Sequence, residues 1–268
     1  MRFLIFLFSV VLLSGCLSLP KSRLSPPDRN TLVRDQLVIH SDFALAAHHR
    51  VFEELTAQRT DLCRRLALSP SDEPIHVYLF QNAERFDDFI RLHYPKFPDR
   101  RAFFVETDAQ LTIYAQWGDR MSEDLRHETT HGYLHSIVSN IPLWLDEGLA
   151  EFYEVPRGRQ GLNRPHLTRL LVRLDREHWQ PDLPRLEQLR SAADMTQDDY
   201  AEAWAWVHFL LQSDPKSLGL LRGYLADLRR DGDTTPISSR MAAFLGDGNS
   251  LLTQHLHLAS NQQTTHKN

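Results

Sequence analysis

The residues of this chain that could do chemistry are concentrated between positions 125 and 154. His127, Glu128 and His131 form the pattern H-E-x-x-H, and Glu147 follows within the sequence W-L-D-E-G. On a helix, two histidines four positions apart are separated by about 40° around the axis and about 6 Å along it. Their imidazoles can therefore converge on one metal ion, while Glu128 can reach a water molecule bound to the same ion.

Two helices are needed to position these side chains. Ser122 is predicted to cap the first helix, which continues to about Ser139 because Pro142 disfavours helical geometry at the residue before it. A second helix is predicted to start at Pro142, which places Glu147 just over one turn from its start. A catalytic zinc ion needs three protein ligands and one open position. Glu147 is therefore the expected third ligand beside the two histidines.

The neighbours of these ligands have expected roles of their own. Glu151 follows Glu147 at i+4 on the same helix face, and a ligating imidazole usually donates its second N–H to a carboxylate or a carbonyl. We therefore expect Glu151 to support one histidine ligand. His135 comes four positions after His131, but the helix has by then turned about 80° from His127. We interpret His135 as a polar neighbour and not as a ligand.

The hydrophobic pattern around this segment predicts an α+β fold. Strands are predicted at four places: residues 37–39, 75–80, 101–106 and 111–116. The first three strands are separated by predicted helices, so the order before the H-E-x-x-H helix is β-α-β-α-β-β. After residue 155 the strand signals stop and four segments have helical spacing: 165–178, 197–213, 215–230 and 238–246. We predict an N-terminal α/β lobe over 34–140 and a mainly helical lobe over 141–258.

The two ends of the chain are predicted to lie outside this domain. Residues 1–15 have a positive start and a short apolar run, which is typical of a signal peptide, and the sequence Leu-Ser-Gly before Cys16 resembles a bacterial lipobox. The alternative is an ordinary signal peptide with an incidental cysteine. Residues 16–33 would form a lipidated linker, and residues 259–268 a disordered tail. Leu17, and not Asp, follows the cysteine; the resemblance to lipoproteins of bacteria with two membranes then implies the outer membrane of the cell envelope, facing the periplasm.

The overall composition excludes some functional classes. The chain has 268 residues, of which 42% are apolar, so it can form a substantial core and is not a disordered protein. Its formal charge is −5, whereas nucleic-acid-binding domains usually carry a basic excess. We therefore expect no nucleic-acid partner, and we expect a monomer.

The pattern H-E-x-x-H followed by W-L-D-E-G resembles the gluzincin metallopeptidases, and in particular the small peptidase-MA-like domains of exported bacterial proteins. The resemblance is strong over residues 122–154 and extends more weakly over 34–121. It implies a zincin-like fold: a small mixed sheet with helices and an edge strand, then the active-site helix, then the helical lobe. It also implies one zinc ion bound by His127, His131 and Glu147.

The same resemblance implies a mechanism, the hydrolysis of peptide bonds by a zinc-activated water with Glu128 as general base. Tyr200, from the helical lobe, would stabilise the oxyanion, and His208 is a second candidate for that role. The segment Leu111–Gln116 would be the edge strand to which an extended substrate adds antiparallel. The chain has no G-x-M-E-N-like segment of the aminopeptidase kind, so the sequence gives no positive support for exopeptidase action. The choice between endo- and exo-action stays open.

Two alternatives to a peptidase are compatible with the motif. The first is a lipid-anchored domain that keeps the zincin fold for binding or envelope assembly, although such a domain has no need of Glu128. The second is a structural zinc site, but such sites are usually closed and rich in cysteine. The expected partners of the peptidase are a peptide or protein substrate and the membrane lipid that acylated Cys16 would enter.

Overall fold

Residues 25–265 are described by the structure, which is a computed structural model. Within them, five strands form one sheet in the order β1-β2-β3-β5-β4. Their bounds are β1 Asn30–Arg34, β2 Leu37–Ser41, β3 Ile75–Phe80, β4 Ala102–Thr107 and β5 Gln110–Gln116. The three inner strands run parallel, while β1 and β4 pair antiparallel at the two edges. The sheet is therefore mixed, as predicted.

The helices have the following bounds: α1 Arg50–Leu66, α2 Ala83–His93, α3 Met121–His135, α4 Leu143–Tyr153, α5 Arg164–Glu177, α6 Leu183–Leu186, α7 Gln197–Gln212, α8 Pro215–Asp231, α9 Ile237–Phe244 and α10 Gly248–Thr265. Two helices alternate with strands before α3 and, in the part of the chain that the structure describes, only helices follow it, so the α+β class is confirmed; α6 and α10 are additional to the predicted helices. Among the described residues, no helix is both long and apolar enough to cross a membrane.

Helix α3 lies directly on the sheet. Alternate residues of β3, namely Ile75, Val77 and Leu79, are almost completely buried in the main core because successive strand side chains point to opposite faces. A Cβ atom added to Gly132 of α3 would lie 3.0 Å from the Ile75 side chain. The helix backbone therefore approaches the sheet closely, and this contact holds the histidines of α3 beside the sheet edge formed by β4.

Helix α4 is held on its other side by α7. Trp144, Leu145 and Leu149 of α4 are fully buried. A Cβ atom added to Gly148 would lie 2.6 Å from the carbonyl oxygen of Ala203 in α7, a distance that real side chains do not reach. The two helices thus pack backbone to backbone, which leaves α4 little freedom to shift. The position of Glu147, next to this glycine, depends on that packing.

Three local expectations differ from the structure, and a fourth falls outside the described residues. Strand β1 lies within the predicted linker, and its pairing with β2 makes it part of the sheet. Helix α3 begins after Arg120, so Ser122 is inside the helix and is not its cap. The predicted tail is helical to Thr265, because Leu252, Leu256 and Ala259 share a buried face of α10. The signal peptide and Cys16 lie outside the described residues.

The edge strand was also assigned to the wrong segment. The predicted edge, Leu111–Gln116, belongs to β5, which lies between β3 and β4. The strand at the edge beside α3 is β4, and the ring of Phe104 on β4 lies 5.9 Å from that of His131. A hairpin pattern shows that two strands pair, but it does not show which of them takes the outer position.

Candidate metal centre

The structure brings the three predicted ligands together. His127 and His131 lie one turn apart on α3, and Glu147 reaches them from α4. Glu147 Oε2 is 3.7 Å from His127 Nε2 and 3.8 Å from His131 Nε2. One ligand atom from each residue lies within 4.8 Å of the others. These three side chains form a group that could hold a metal ion.

The state of the donor atoms fits a bound cation. Glu147 Oε2 is buried and has no hydrogen-bond partner within the part of the chain that the structure describes, although leaving a buried carboxylate oxygen unpaired is costly. Ligand atoms around a tetrahedral zinc ion lie about 3.3–3.5 Å apart, within a few tenths of an ångström of the two measured distances. A donor set of two imidazole nitrogens and one carboxylate oxygen is suited to a transition metal such as zinc.

The carboxylate that supports His127 is Glu154, which the sequence reasoning did not identify. Its Oε2 lies 3.1 Å from His127 Nδ1. The predicted supporting residue, Glu151, instead contacts His166 Nε2 at 2.7 Å. The amide of Asn163 donates to both carboxylates, at 3.0 Å to Glu154 and 3.3 Å to Glu151. Glu151 therefore does not contact His127 directly, contrary to the prediction. It is linked to Glu154 through the shared amide of Asn163, which helps to hold Glu154 in place.

The second histidine ligand is supported from α4. Asp146 Oδ2 lies 2.9 Å from His131 Nδ1 and 3.0 Å from His135 Nε2, and Glu106 of β4 contacts the other ring nitrogen of His135 at 2.6 Å. Asp146, His131 and His135 are close enough to form another potential metal group. The carboxylate oxygen forms a hydrogen bond with His135 and a close ion-pair contact with His131, so it is already shared by the two imidazoles. This agrees with the interpretation of His135 as a polar neighbour.

The carboxylates around His127 and His135 raise the pKa values of these two histidines. Burial by itself would lower the pKa of His127, but the carboxylates of Glu147 and Glu154 outweigh it and raise that pKa well above its ordinary value. Burial also opposes the charge of His135, yet its contacts with Asp146 and Glu106 raise its pKa to about 9. Without a metal ion, the carboxylates thus favour protonated histidines. A metal ion and protons compete for the same ligand nitrogens.

Glu128 lies where it could act on a molecule bound to a metal ion held by these three side chains. It is buried on α3 beside His127 and lines the same cavity as the three ligands. This central cavity has a volume of about 570 Å³ and lies between β4, the loop before it, α3 and α4. Burial raises the pKa of Glu128, while the neighbouring histidines oppose that rise. A carboxylate with a raised pKa is a stronger proton acceptor.

Tyr200, on α7, contacts Arg100, a residue that lines the central cavity. Tyr200 is 5% exposed, and its hydroxyl accepts a hydrogen bond of 3.1 Å from Nη2 of Arg100. Burial raises the pKa of Tyr200, with a further contribution from the charge of Glu147, so its hydroxyl keeps its proton at neutral pH. Sequence reasoning missed Arg100 because it lies in the loop before β4, outside any motif.

His208 is not part of the site, and its candidacy as an oxyanion donor is wrong. Its Nδ1 lies 2.8 Å from Nε2 of His255 on α10, and the two histidines line a separate cavity. Burial lowers the pKa of His208 to about 3, so the imidazole is neutral. Eight residues along a helix correspond to a rotation of about 80°, which turns His208 away from the face that carries Tyr200.

A comparison with protein families matches the part of the chain that contains the site. Residues 123–223 match a family model described as "Protein of unknown function (DUF1570)". The match extends from α3 into α8, so it includes the three side chains that could hold a metal ion, together with Glu128 and Tyr200, but not the sheet. No curated protein matches the chain.

Proposed function

We propose that the protein is a zinc-dependent peptidase. The observation that carries this proposal is the convergence of His127, His131 and Glu147 around an unpartnered buried carboxylate oxygen, with Glu128 beside them in a cavity. A purely structural site would have no use for a cavity or for a second carboxylate, Glu128, beside the ligands. The open position that a catalytic ion needs would face the central cavity.

The residues of the chain have separate tasks in this reaction. When bound, a zinc ion would supply the Lewis acidity that activates water and polarises the scissile carbonyl. Glu128 accepts the proton of the attacking water and delivers it to the leaving amine. Tyr200 donates its hydroxyl proton in a hydrogen bond to the oxyanion, while Arg100 holds the phenol oxygen from the other side. Glu154 and Asp146 orient the two imidazoles through their Nδ1 atoms.

The substrate backbone is expected to pair with β4, the outer strand beside α3. A peptide that adds to a sheet edge gains main-chain hydrogen bonds without regard to its side chains. This assigns to β4 the role that the sequence had placed on β5.

We further propose that the domain acts beside a bacterial membrane, tethered through lipid on Cys16. One acyl chain gives only reversible binding, whereas the two or three chains of a bacterial lipoprotein give stable anchoring. The support for this part is the lipobox-like sequence alone, and the described residues begin after it.

The test of the peptidase proposal is a comparison of metal content with hydrolysis. We expect the purified protein to bind one zinc ion and to cleave denatured proteins. The variant Glu128→Gln should keep the metal and lose cleavage by about 10²-fold or more. Glu177→Gln, the same change at an exposed position at the end of α5, should keep both. A protein that retains one zinc ion but cleaves no member of a broad peptide library would refute the proposal.

A further inference from the structure

We infer that the site acts on internal bonds of an extended polypeptide, which lies in a groove that is open on both sides of the metal-binding residues. This inference rests on the proposed peptidase function and adds to it the form of the substrate. Its basis is the arrangement of three adjoining cavities along β4 and α3, together with the unpaired edge of β4.

The central cavity adjoins a second cavity on one side. This acidic cavity, of about 480 Å³, is lined by carboxylates of α2, α3 and the loop before β4. Both cavities share the lining residues Arg100, Ala102, His127 and Glu128. The space beside the metal ligands therefore continues past Glu128 toward the start of α3.

A third cavity adjoins the central one on the other side. This helical-lobe cavity, of about 500 Å³, lies between the α3–α4 connection and the helices of the C-terminal lobe. It shares His135 and Asp146 with the central cavity. From His127 to His135 the axis of α3 rises by about 12 Å. The groove therefore extends well beyond the metal-binding residues in both directions.

The exposed edge of β4 runs in the same direction. The carbonyl of Arg101 accepts a hydrogen bond from the amide of Gln116 at 3.1 Å. The backbone amides and carbonyls of the odd-numbered residues of β4 therefore point toward β5. In an antiparallel pair these groups alternate in direction. The amides and carbonyls of Ala102, Phe104 and Glu106 therefore face outward. They span about 13 Å, enough to pair with about five substrate residues.

Most of the charged groups next to the metal-binding residues already have partners. In the acidic cavity, Asp124 accepts two hydrogen bonds from Arg101, at 2.9 and 2.6 Å, and Glu154 is in contact with His127. In the central cavity, Arg100 donates to Tyr200. A pocket for a terminal ammonium or carboxylate needs an available opposite charge close to the metal. Two charged side chains have no hydrogen bond or ion pair among the described residues: Asp99 in the acidic cavity and Lys96 in the central cavity. The experiment therefore tests each end of the peptide separately.

The experiment uses the zinc-loaded full-length protein and an equimolar library of peptides of about fourteen residues. One portion of the library is acetylated at the amino end, another is amidated at the carboxyl end, and the last has free termini. We expect cleavage at internal positions in every portion, at rates within about threefold of each other. For one cleaved sequence, extension from about four to about eight residues should raise kcat/KM by about tenfold or more, because remote contacts contribute to transition-state binding.

Each other outcome has a distinct meaning. Loss of cleavage on blocking either end, or products shortened by one or two terminal residues, would overturn the inference and leave the peptidase proposal standing. A dependence on the free carboxyl end that disappears in Lys96→Ala would overturn it too, and would assign exopeptidase action to that lysine. If the wild type cleaves no portion more than Glu128→Gln does, the proposed function itself fails.

A cavity-filling variant tests the path of the groove. Asp233, an exposed residue that lines the helical-lobe cavity, contacts only its own chain neighbour among the described hydrogen bonds. The variant Asp233→Trp should therefore fold and should reduce the gain in kcat/KM on peptide extension by about tenfold. Lys216→Trp, on an exposed part of α8 away from the three cavities, is the control and should keep the wild-type gain. An equal gain in Asp233→Trp would overturn the path through this cavity.

Discussion

Replacing Glu154 by glutamine should weaken metal binding more than the same change at Glu151. The two carboxylates lie three residues apart and share the amide of Asn163, but Glu154 alone contacts the imidazole of a ligand, at 3.1 Å from His127 Nδ1. A carboxylate in this position makes the imidazole a better ligand and fixes which nitrogen faces the metal. Glu154→Gln keeps the side-chain volume and removes the charge.

The size of the effect follows from the geometry. Loss of such a supporting group typically lowers metal affinity about 10–100-fold, which corresponds to about 1.4–2.7 kcal/mol. In Glu154→Gln the amide oxygen of the new side chain can still accept the imidazole proton, so we expect a value near the lower end, about tenfold. Glu151→Gln leaves the contact between Glu154 and His127 intact and weakens the one with His166. We expect it to change zinc affinity less than about threefold.

The assay is competition for zinc between the protein and a chromophoric chelator at fixed neutral pH. Metal-free thermal unfolding of each variant shows whether the fold is intact, and Glu128→Gln is the matched control, since Glu128 is beside the ligands but binds neither imidazole. If Glu151→Gln weakens zinc binding as much as Glu154→Gln, the supporting residue is the one expected from the helical i+4 spacing, and the structural assignment is wrong.

Three further outcomes are expected. Tyr200→Phe should lower kcat about 10²-fold with little change in zinc affinity, because it removes an oxyanion donor and no ligand; a loss confined to KM would contradict this role. His135, with its pKa raised to about 9, contributes stability that is complete below its unfolded pKa of about 6.5 and is lost as the pH rises through about 9, so His135→Gln should reduce the unfolding free energy of metal-free protein by about 3 kcal/mol at pH 6 and by much less at pH 10. An equal loss at both pH values, measured by urea denaturation, would count against the charged state of His135. Cys16→Ser should move the protein out of the membrane fraction or leave it unprocessed, and unchanged fractionation would exclude the lipid anchor.

The part of the site that lies within single helices could be predicted from the sequence. His127 and His131 converge because of helix periodicity, and the short spacing to α4 made Glu147 a natural third ligand. The choice between Glu151 and Glu154 could not be made in this way. Both follow Glu147 at helical spacing, and the orientation of α4 relative to α3 decides which of them meets an imidazole. That orientation is set by tertiary packing at Gly148.

The fold, like the site, could be predicted only in the parts that depend on residues close together in the sequence. The order of strands and helices follows from hydrophobic periodicity, but the order of strands within the sheet does not. The outer position of β4 depends on the parallel pairing of β5 with β3, a contact between residues distant in sequence. Arg100 was missed for a related reason, since its contact with Tyr200 joins a loop of the N-terminal lobe to a helix 100 residues later. Such contacts leave no periodic signal.

The division of the ligands between α3 and α4 has a consequence for how the protein assembles. The two histidines are already correctly spaced in an isolated helix, whereas Glu147 reaches them only after α4 has docked against α7 near Gly148 and Ala203. A metal ion would therefore bind at full affinity only to the docked chain, and the free energy by which it stabilises docking would rise with the logarithm of its free concentration. The ion would thus link α3, which packs on the sheet, to α4 of the helical lobe. The availability of metal would then control how long the folded protein persists, as well as its chemistry.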